Sequence, residues 1–589
     1  MQNNYKKLTK QEQKERAKFR NKRLLKYAFQ LKPLLFFGLI ITLVSALAEL
    51  AGPYIISLIL DGELLEGQGA SNYDRFVILV ISYFVMAILV SLVRYIMSVS
   101  FAMLANKIGL IIRRDVFKHV ISLPVQFFDK YPVGKVVTRI TSDTQDIRLL
   151  IQILFFDIIT TLVFSIGLMI GLFLINPFLG LLSLLSLPLA YVVFIDYKKK
   201  STRYNTDMRR YNSDMNANLN ETIQTMEVVQ SFNNEEYIYN QYSNLNDKHF
   251  GEGRKLATLW SYSSFNATNA IGNLVITIAV FYFALGIITG NSAVTVGGLY
   301  IFVDYNRKLY NYINNLTNRI GELEKAKSAA DQVFELLENE PYNEGGQVIE
   351  NLQGKIDFDN VTFAYDEDNV LENINISIKP GESCAFVGHT GSGKSTIMNL
   401  IYGFYKIKEG NLLFDGVNIN ELDMIEIRKQ MAIVFQNPYI FEGTIYDNIA
   451  LFDDSISKDE AEIALINVGG ERILMKDKGI DAHIQEGGGG FSSGEKQLIS
   501  FARAMVRNPK ILVLDEATSN VDTQTEEFIQ FGVNRLKKGR TTLIIAHRLS
   551  TIKDVDNIFV LDKGKIIESG NHDQLIALDG VYAKMYKEN

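Results

Sequence analysis

Two hydropathy regimes divide the chain. Up to about residue 320 it alternates long apolar runs with polar, largely basic connections. After about residue 354, runs of only three to five apolar residues alternate with helical periodicity and glycine-rich turns. Six apolar stretches approach or exceed the roughly 18 residues that a bilayer-spanning helix needs. They are 33–60, 76–102, 148–175, 178–197, 268–289 and 297–320, the last two softened by polar residues. The connections 103–147 and 198–267 are long and keep a helical pattern, so helices are expected to project beyond the membrane. Each contains a break. The first covers residues 127–134, where Pro132 and Gly134 are breakers, and Thr141 to Asp143 then suits a helix start. The second surrounds residues 220–224. A helix is expected over 325–337, followed by a polar linker through Asn339, Pro341, Asn343, Gly345 and Gly346. Beyond it, the segments 356–358, 361–364, 432–435, 511–514 and 543–546 read as strands. Their alternation with helical patterns predicts a mostly parallel sheet with flanking helices.

Charge orients the apolar half. The connection 61–74 carries Asp and Glu but no Lys or Arg, and 290–296 is uncharged, whereas 107–118 and 198–210 are basic. The positive-inside rule places both termini in the cytoplasm. Residues 1–30 are crowded with Lys and Arg, and the first apolar run comes too late and runs too long for a signal peptide. This arm reads as a cytoplasmic anchor. With 589 residues, more than one core is required; the net charge of −6 argues against nucleic acid as the main partner. The lone cysteine, Cys384, excludes an internal disulfide or a Cys-based zinc site and is expected to be a small buried hydrophobe. A Lys/Asn/Ile-rich composition points to a bacterial source. Ionisable residues within apolar spans cost several kcal/mol unless they face a cavity or a partner. Asp157 and Asp304 could draw a cationic substrate, but mutual pairing of the Glu49–Arg94 kind is the plainer reading. Phe155, Phe156, Tyr305 and Tyr310 could line a hydrophobic cavity or simply pack.

The chemistry lies in the second half. Gly388-His389-Thr390-Gly391-Ser392-Gly393-Lys394-Ser395-Thr396 fits the phosphate-loop pattern, with an apolar run before it and helical spacing after it. Such a loop closes backbone N–H groups around a polyphosphate at a helix N-terminus. Lys394 would meet the β- and γ-phosphates, and the Ser395 hydroxyl would ligate Mg²⁺. Four aliphatic residues, Ile511 to Leu514, end in Asp515 and Glu516. Asp515 suits Mg²⁺ coordination and Glu516 the polarisation of an attacking water. His547 follows another buried strand and could bridge the γ-phosphate and that water. Gln436 could contact Mg²⁺ or the water, and Tyr365 could stack on adenine. Read singly, these last three are equally compatible with structural roles. Phe491-Ser492-Ser493-Gly494-Glu495 opens an apolar helix, another candidate anion site.

In this order the parts resemble an ATP-binding cassette (ABC) transporter of the exporter kind, a half-transporter with six spans fused to one nucleotide-binding domain. The resemblance covers nearly everything after residue 20. It implies an all-α polytopic membrane domain followed by an α/β P-loop NTPase domain: a basic cytoplasmic segment 1–30, a transmembrane domain 31–325, a linker 326–353 and the cassette 354–589. It further implies ATP and Mg²⁺ as cofactors. Tyr365 would be the adenine-stacking aromatic, residues 388–396 Walker A, Gln436 the Q-loop and 491–495, with Ser492 and Gly494, the signature. Asp515 would close Walker B, Glu516 would be the base, 519–522 the D-loop and His547 the switch histidine. Glu486 would be the X-loop acid, and the segments near 131–134 and 220–224 the coupling helices.

The resemblance also implies a dimer that sandwiches ATP between Walker A of one cassette and the signature of the other. Here the chain departs from the family pattern. Against the consensus Leu-Ser-Gly-Gly-Gln it has Phe-Ser-Ser-Gly-Glu, so Ser493 and Glu495 add bulk and negative charge, although Ser492 and Glu495 also form a capping-box pattern. The expectation is a heterodimer with a second half-transporter, in the cell membrane, exporting small hydrophobic or amphipathic, multidrug-like compounds. A lipid or lipopeptide flippase, a homodimeric exporter and an ATP-gated channel or sensor are the alternatives.

Overall fold

The structure, a computed structural model, describes residues 10–64, 73–289, 295–342, 345–476, 478–515, 523–546 and 549–588. It divides into two compact units. One comprises the chain up to Ile121 together with Pro132–Asn339; the other joins Ser122–Tyr131 to Glu340–Asn589.

The first unit is helical. Among the described residues, Lys32–Gly62, Tyr73–Ile121, Val133–Ile175, Pro177–Gln224 and Glu235–Ile288 are long and apolar enough to cross a membrane. At 1.5 Å per residue the 49-residue helix Tyr73–Ile121 is about 73 Å long, more than twice the thickness of a bilayer core. The sixth expected span is the helix Val296–Asn318, which is more polar because it carries Asp304, Arg307 and Lys308. Several of its polar groups have partners within the unit. Lys308 Nζ lies 2.7 Å from Asp304, Asn306 donates to the Gly272 carbonyl at 3.1 Å, and Tyr310 shares a 2.5 Å hydrogen bond with Ser186. The Tyr305 hydroxyl donates to the Leu50 carbonyl at 2.7 Å. Tyr305 and Tyr310 are therefore buried packing residues. Gly272 lets the Tyr310 ring in, since a Cβ there would stand 2.8 Å from that ring. Glu49 pairs with Arg94 at 2.5 Å, and Asp157 lies 3.4 Å from Arg319. The cation-attracting reading of Asp157 and Asp304 gives way to pairing.

The first break falls where expected, at Tyr131-Pro132, but the restart after it differs, and the second break shifts. After Pro132 the helix restarts at Val133, not at Thr141. Thr141 and Thr144 donate their hydroxyls to carbonyls four residues back, those of Val137 and Ile140. A wide π-turn over Arg139–Asp143 joins the pieces; side-chain back-bonding of this kind loosens a helix without ending it. The second helix runs through Gln224 and breaks at Thr225, after which Met226–Ser231 is short and Asn233 takes a positive φ of 50°. The helix expected from 325 already begins at Ile320 and ends at Leu336.

The second unit has twelve strands among the described residues: β1 Ile356–Ala364, β2 Asn369–Ile378, β3 Ser383–Val387, β4 Glu409–Phe414, β5 Val417–Asn418, β6 Met431–Val434, β7 Gly443–Thr444, β8 His483–Ile484, β9 Ile511–Asp515, β10 Thr541–Ile545, β11 Asn557–Asp562 and β12 Lys565–Gly570. A six-stranded sheet runs β12-β11-β3-β10-β9-β6, parallel except for the β11/β12 pair. Beside it lies an antiparallel sheet, β2-β1-β4-β5, that the sequence pattern did not announce. The two strands expected at 356–358 and 361–364 are one, with an irregular register at Asp359-Asn360, where Asn360 has a φ of 51°. Cys384 is fully buried within β3, and burial pushes its thiol pKa far up.

Residues 122–131 belong to this second unit. The Ser122 carbonyl accepts the Tyr342 N–H at 2.7 Å, and the Tyr405 hydroxyl donates to Asp129 at the end of the short helix Val125–Lys130. Burial, with Asp129 adding to it, raises the Tyr405 phenol.

β3 is anchored at its start by Asp556, whose carboxylate accepts the Ser383 N–H at 2.8 Å and hydroxyl at 2.7 Å. These bonds hold the Asp556 carboxyl below its usual range. A carboxyl lowered on folding stabilises fully above its ordinary pKa near 4 and loses that contribution as pH falls through the folded-state value. Asp556→Asn should therefore lower amide protection in β3 at pH 7, by under about 1 kcal/mol given solvent screening. In hydrogen exchange, the difference from the native chain should shrink as pH falls below the ordinary carboxyl value and through the lowered Asp556 one.

Candidate nucleotide site

Five buried residues of β3 deliver the chain to the carboxyl edge of the parallel sheet, where open α/β folds place ligands. The loop there bends through glycines at positive φ: Gly388 at 152°, Gly391 at 85° and Gly393 at 105°. Two cannot carry a side chain. A Cβ on Gly388 would stand 2.2 Å from the Leu561 carbonyl oxygen, and one on Gly393 would stand 2.6 Å from Leu371. Gly393 caps the helix Lys394–Ile401 without a side-chain acceptor, so the first N–H groups of that helix are directed into the loop.

Lys394 is only 5% exposed, and its ammonium donates to the carbonyls of Gly388 and His389 at 2.6 and 3.1 Å. The Ser392 hydroxyl is buried with no hydrogen-bond partner among the described residues. A backbone that excludes Cβ atoms, an inward cation and an unsatisfied buried hydroxyl together fit a polyphosphate. His389, Thr390 and Ser395 face solvent, while Thr396 is buried. Tyr365 stands beside the loop, just past β1. Its hydroxyl meets Thr396 Oγ1 at 3.3 Å and accepts from Asn399 at 3.1 Å. Its ring is held edge-on by Phe363 and Tyr405, with centroids 5.0 and 4.9 Å away, and remains about one third exposed.

Strand register aligns the other groups. Ile545 of β10 pairs with Phe386 of β3 and with Asp515 of β9, and Val434 of β6 pairs with Leu514. Asp515 therefore ends its strand on the edge from which the phosphate loop departs. Gln436, two residues past β6, is exposed on the same side of the strand order. Glu516, the segment 519–522 and His547 lie outside the described residues.

The signature segment is built differently. Ser492 caps the helix Ser493–Val506 in a full capping box. The Glu495 N–H donates to Ser492 Oγ at 3.2 Å, and the Ser492 N–H donates to the Glu495 carboxylate at 2.8 Å. Gly494 is buried in the first turn. The other Glu495 oxygen lies 3.1 Å from Lys476 Nζ. That ammonium also donates to the Gly490 carbonyl at 3.0 Å and sits 3.7 Å from the centre of the Phe491 ring. Sequence reading missed Lys476, which lies in a polar surface turn with no spacing relation to the motif. Glu486 is exposed in a short 3₁₀ turn, Glu486–Gly488.

Comparison with known proteins agrees with this geometry. Residues 35–310 match the family described as the ABC transporter transmembrane region, and residues 371–519 match the ABC transporter family. The chain is 42% identical, over 82% of its own length and 72% of the relative's, to the probable multidrug resistance ABC transporter ATP-binding/permease protein YheH of Bacillus subtilis (strain 168). It is 31% identical, over 92% of each chain, to the ATP-dependent lipid A-core flippase of Haemophilus influenzae (strain 86-028NP). A solved bacterial Atm1-family ABC exporter with ATP bound superposes with a TM-score of 0.80, covering 95% of this chain and 98% of that one at 27% identity. Matched over both halves, the chain belongs to the ABC transporters: it is an exporter-type half-transporter that dimerises in the membrane, binds ATP in its cassette and couples ATP hydrolysis to transport.

Proposed function

We propose that the protein is one subunit of a heterodimeric exporter that moves hydrophobic or amphipathic compounds out of a bacterial cell, with its termini and cassette in the cytoplasm. The observation that carries the heterodimer is the state of the signature. Ser493 adds a side chain where the family's glycine lets the backbone approach the γ-phosphate, and Glu495 sets a carboxylate in the first turn of the same helix. The Walker side of the chain carries no such departure. Its competent site would pair Lys394, Ser395, Asp515, Glu516, Gln436 and His547 with a consensus signature from the partner. The multidrug relative supports a drug-like cargo; the flippase relative keeps a lipid cargo as the second reading.

In the competent site the Walker loop holds the polyphosphate, with Lys394 turning from the Gly388 and His389 carbonyls to the β- and γ-phosphates. Ser395, Gln436 and Asp515 would hold Mg²⁺, which neutralises phosphate charge when bound. Glu516 takes a proton from water as its oxygen bonds to the γ-phosphorus and the bond to the bridging oxygen breaks. His547 contacts the γ-phosphate. Closure of the sandwich favours the outward-facing state, and cleavage resets it. The helix Val125–Lys130 is the route to the membrane, since it is continuous in sequence with two membrane-spanning helices and bonded to the cassette through Asp129 and Tyr405.

The chain purified alone should show little substrate-stimulated ATPase, with activity appearing on co-expression with a second half-transporter. Full stimulated activity as a homodimer overturns the heterodimer. Glu516→Gln should trap ATP and lower turnover by at least about 100-fold, read as retained nucleotide and absent export; steady hydrolysis would remove the assigned base. Asp129→Ala should leave basal ATPase within about twofold but uncouple it from export, measured side by side in vesicles.

A further inference from the structure

The membrane unit contains a cavity of about 300 Å³ that the nucleotide chemistry does not use. It is lined from four stretches of helix: Glu49 comes from the first, Arg94 from the second, Phe156 to Phe164 from the third and Lys308 to Asn315 from the last. One wall is apolar and aromatic, with Phe164 and Tyr312 tilted together at 5.1 Å between ring centroids. The other wall is charged, and the two signs are not equally available there.

Each acid has a basic partner. The Glu49 side chain is 9% exposed, and its Oε2 accepts from Arg94 at 2.5 Å and from the Tyr312 hydroxyl at 3.1 Å. Asp157 is one-fifth exposed beside Arg319. The cations are not spent. Arg94 bonds both Glu49 and Tyr312 and keeps 51% of its side chain exposed, so its five donors outnumber these two partners. Lys308 bonds Asp304 on its own helix and still faces the cavity with further donors. Thr160 supplies a second, independent mark of a ligand. It lines the cavity, it is 93% buried (7% exposed), and its hydroxyl has no hydrogen-bond partner among the described residues. A buried hydroxyl of this kind is normally satisfied.

We infer that this cavity binds an amphipath with a single anionic head, a carboxylate or phosphate, seated between Arg94, Lys308 and Thr160 with its apolar body along Phe156, Phe164 and Tyr312. This rests on the export reading above and narrows its cargo to acidic amphipaths, against the cationic compounds that the acids alone would suggest. The guanidinium matches a carboxylate or phosphate in two parallel hydrogen bonds. The head can belong to a free fatty acid or to a membrane phospholipid, and the test separates them.

The full-length chain in phosphatidylcholine nanodiscs is photolabelled with a diazirine-bearing C16 carboxylate, and the crosslinks are mapped by mass spectrometry. The label should fall on residues 153–175 and 296–318. Palmitate should displace it, and hexadecyltrimethylammonium should not. Phosphatidylglycerol added to the nanodisc should compete if the natural ligand is a lipid and leave labelling unchanged if it is a free acid; both results keep the anionic class. Arg94→Gln should raise the half-displacing palmitate concentration about tenfold, with partial recovery in Arg94→Lys. Because Arg94→Gln strands the Glu49 carboxylate, Glu49→Gln/Arg94→Gln serves as the folded control and should show the same loss. Thr160→Val should cost about threefold. Displacement by the ammonium amphipath as readily as by palmitate, or a folded double variant that binds as the native chain does, overturns the assignment. Because binding is read and not export, an anion bound but never exported removes the export reading alone. Export without specific labelling removes this inference alone.

Discussion

The parallel register of β3, β10, β9 and β6 is the constraint on which the cassette depends. Side-by-side pairing of Phe386, Ile545 and Asp515, continued by Leu514 to Val434, makes four strands finish together. A polyphosphate and the groups that cleave it need one small volume, and no single loop could supply a ring of backbone donors, a cation and a carboxylate there. Parallel strands are buried on both faces, which is why these segments are unbroken aliphatic runs. The same burial leaves their ends as the place where polar residues can appear. The loop at the end of β3 then depends on two glycines for want of room: the Leu561 carbonyl and the Leu371 side chain occupy the space that any Cβ would take.

In the membrane unit the governing rule is that charge in an apolar setting needs a partner. Glu49 pairs with Arg94 as the sequence suggests, and Asp157 and Asp304, which it leaves open, are matched to Arg319 and Lys308. The most polar span, Val296–Asn318, is tolerated because neighbouring helices meet its asparagine and tyrosine groups. Among the described residues the Thr160 hydroxyl, beside an aromatic wall, is left without such a partner.

Motifs with fixed spacing were legible and patterns without it were not. The Walker loop, the Asp515 strand end and the Ser492–Glu495 cap could all be read from residue type and order, because each needs particular atoms at particular separations. β2 escaped notice although Ile374, Ile376 and Ile378 alternate with Asn373, Asn375 and Ser377, because asparagine is depleted in strands and reads as a turn residue. Pro132 correctly marked a break, yet Thr141 did not begin a helix, since its hydroxyl turned back to Val137 within a continuous one. The role of Lys476 depends on a contact across 19 positions of sequence, which no local pattern encodes. Glu516 and His547 rest on motif and family alone.

The sole thiol of the chain has a practical consequence. Cys384 lies sealed in the central strand with its ionisation suppressed, and only the thiolate attacks electrophiles at an appreciable rate. The native chain is thus close to silent towards maleimides. A single cysteine introduced at any exposed position would carry a spin label or fluorophore without background, so movements of the transport cycle can be followed by spectroscopy without first rebuilding the protein free of sulfhydryls.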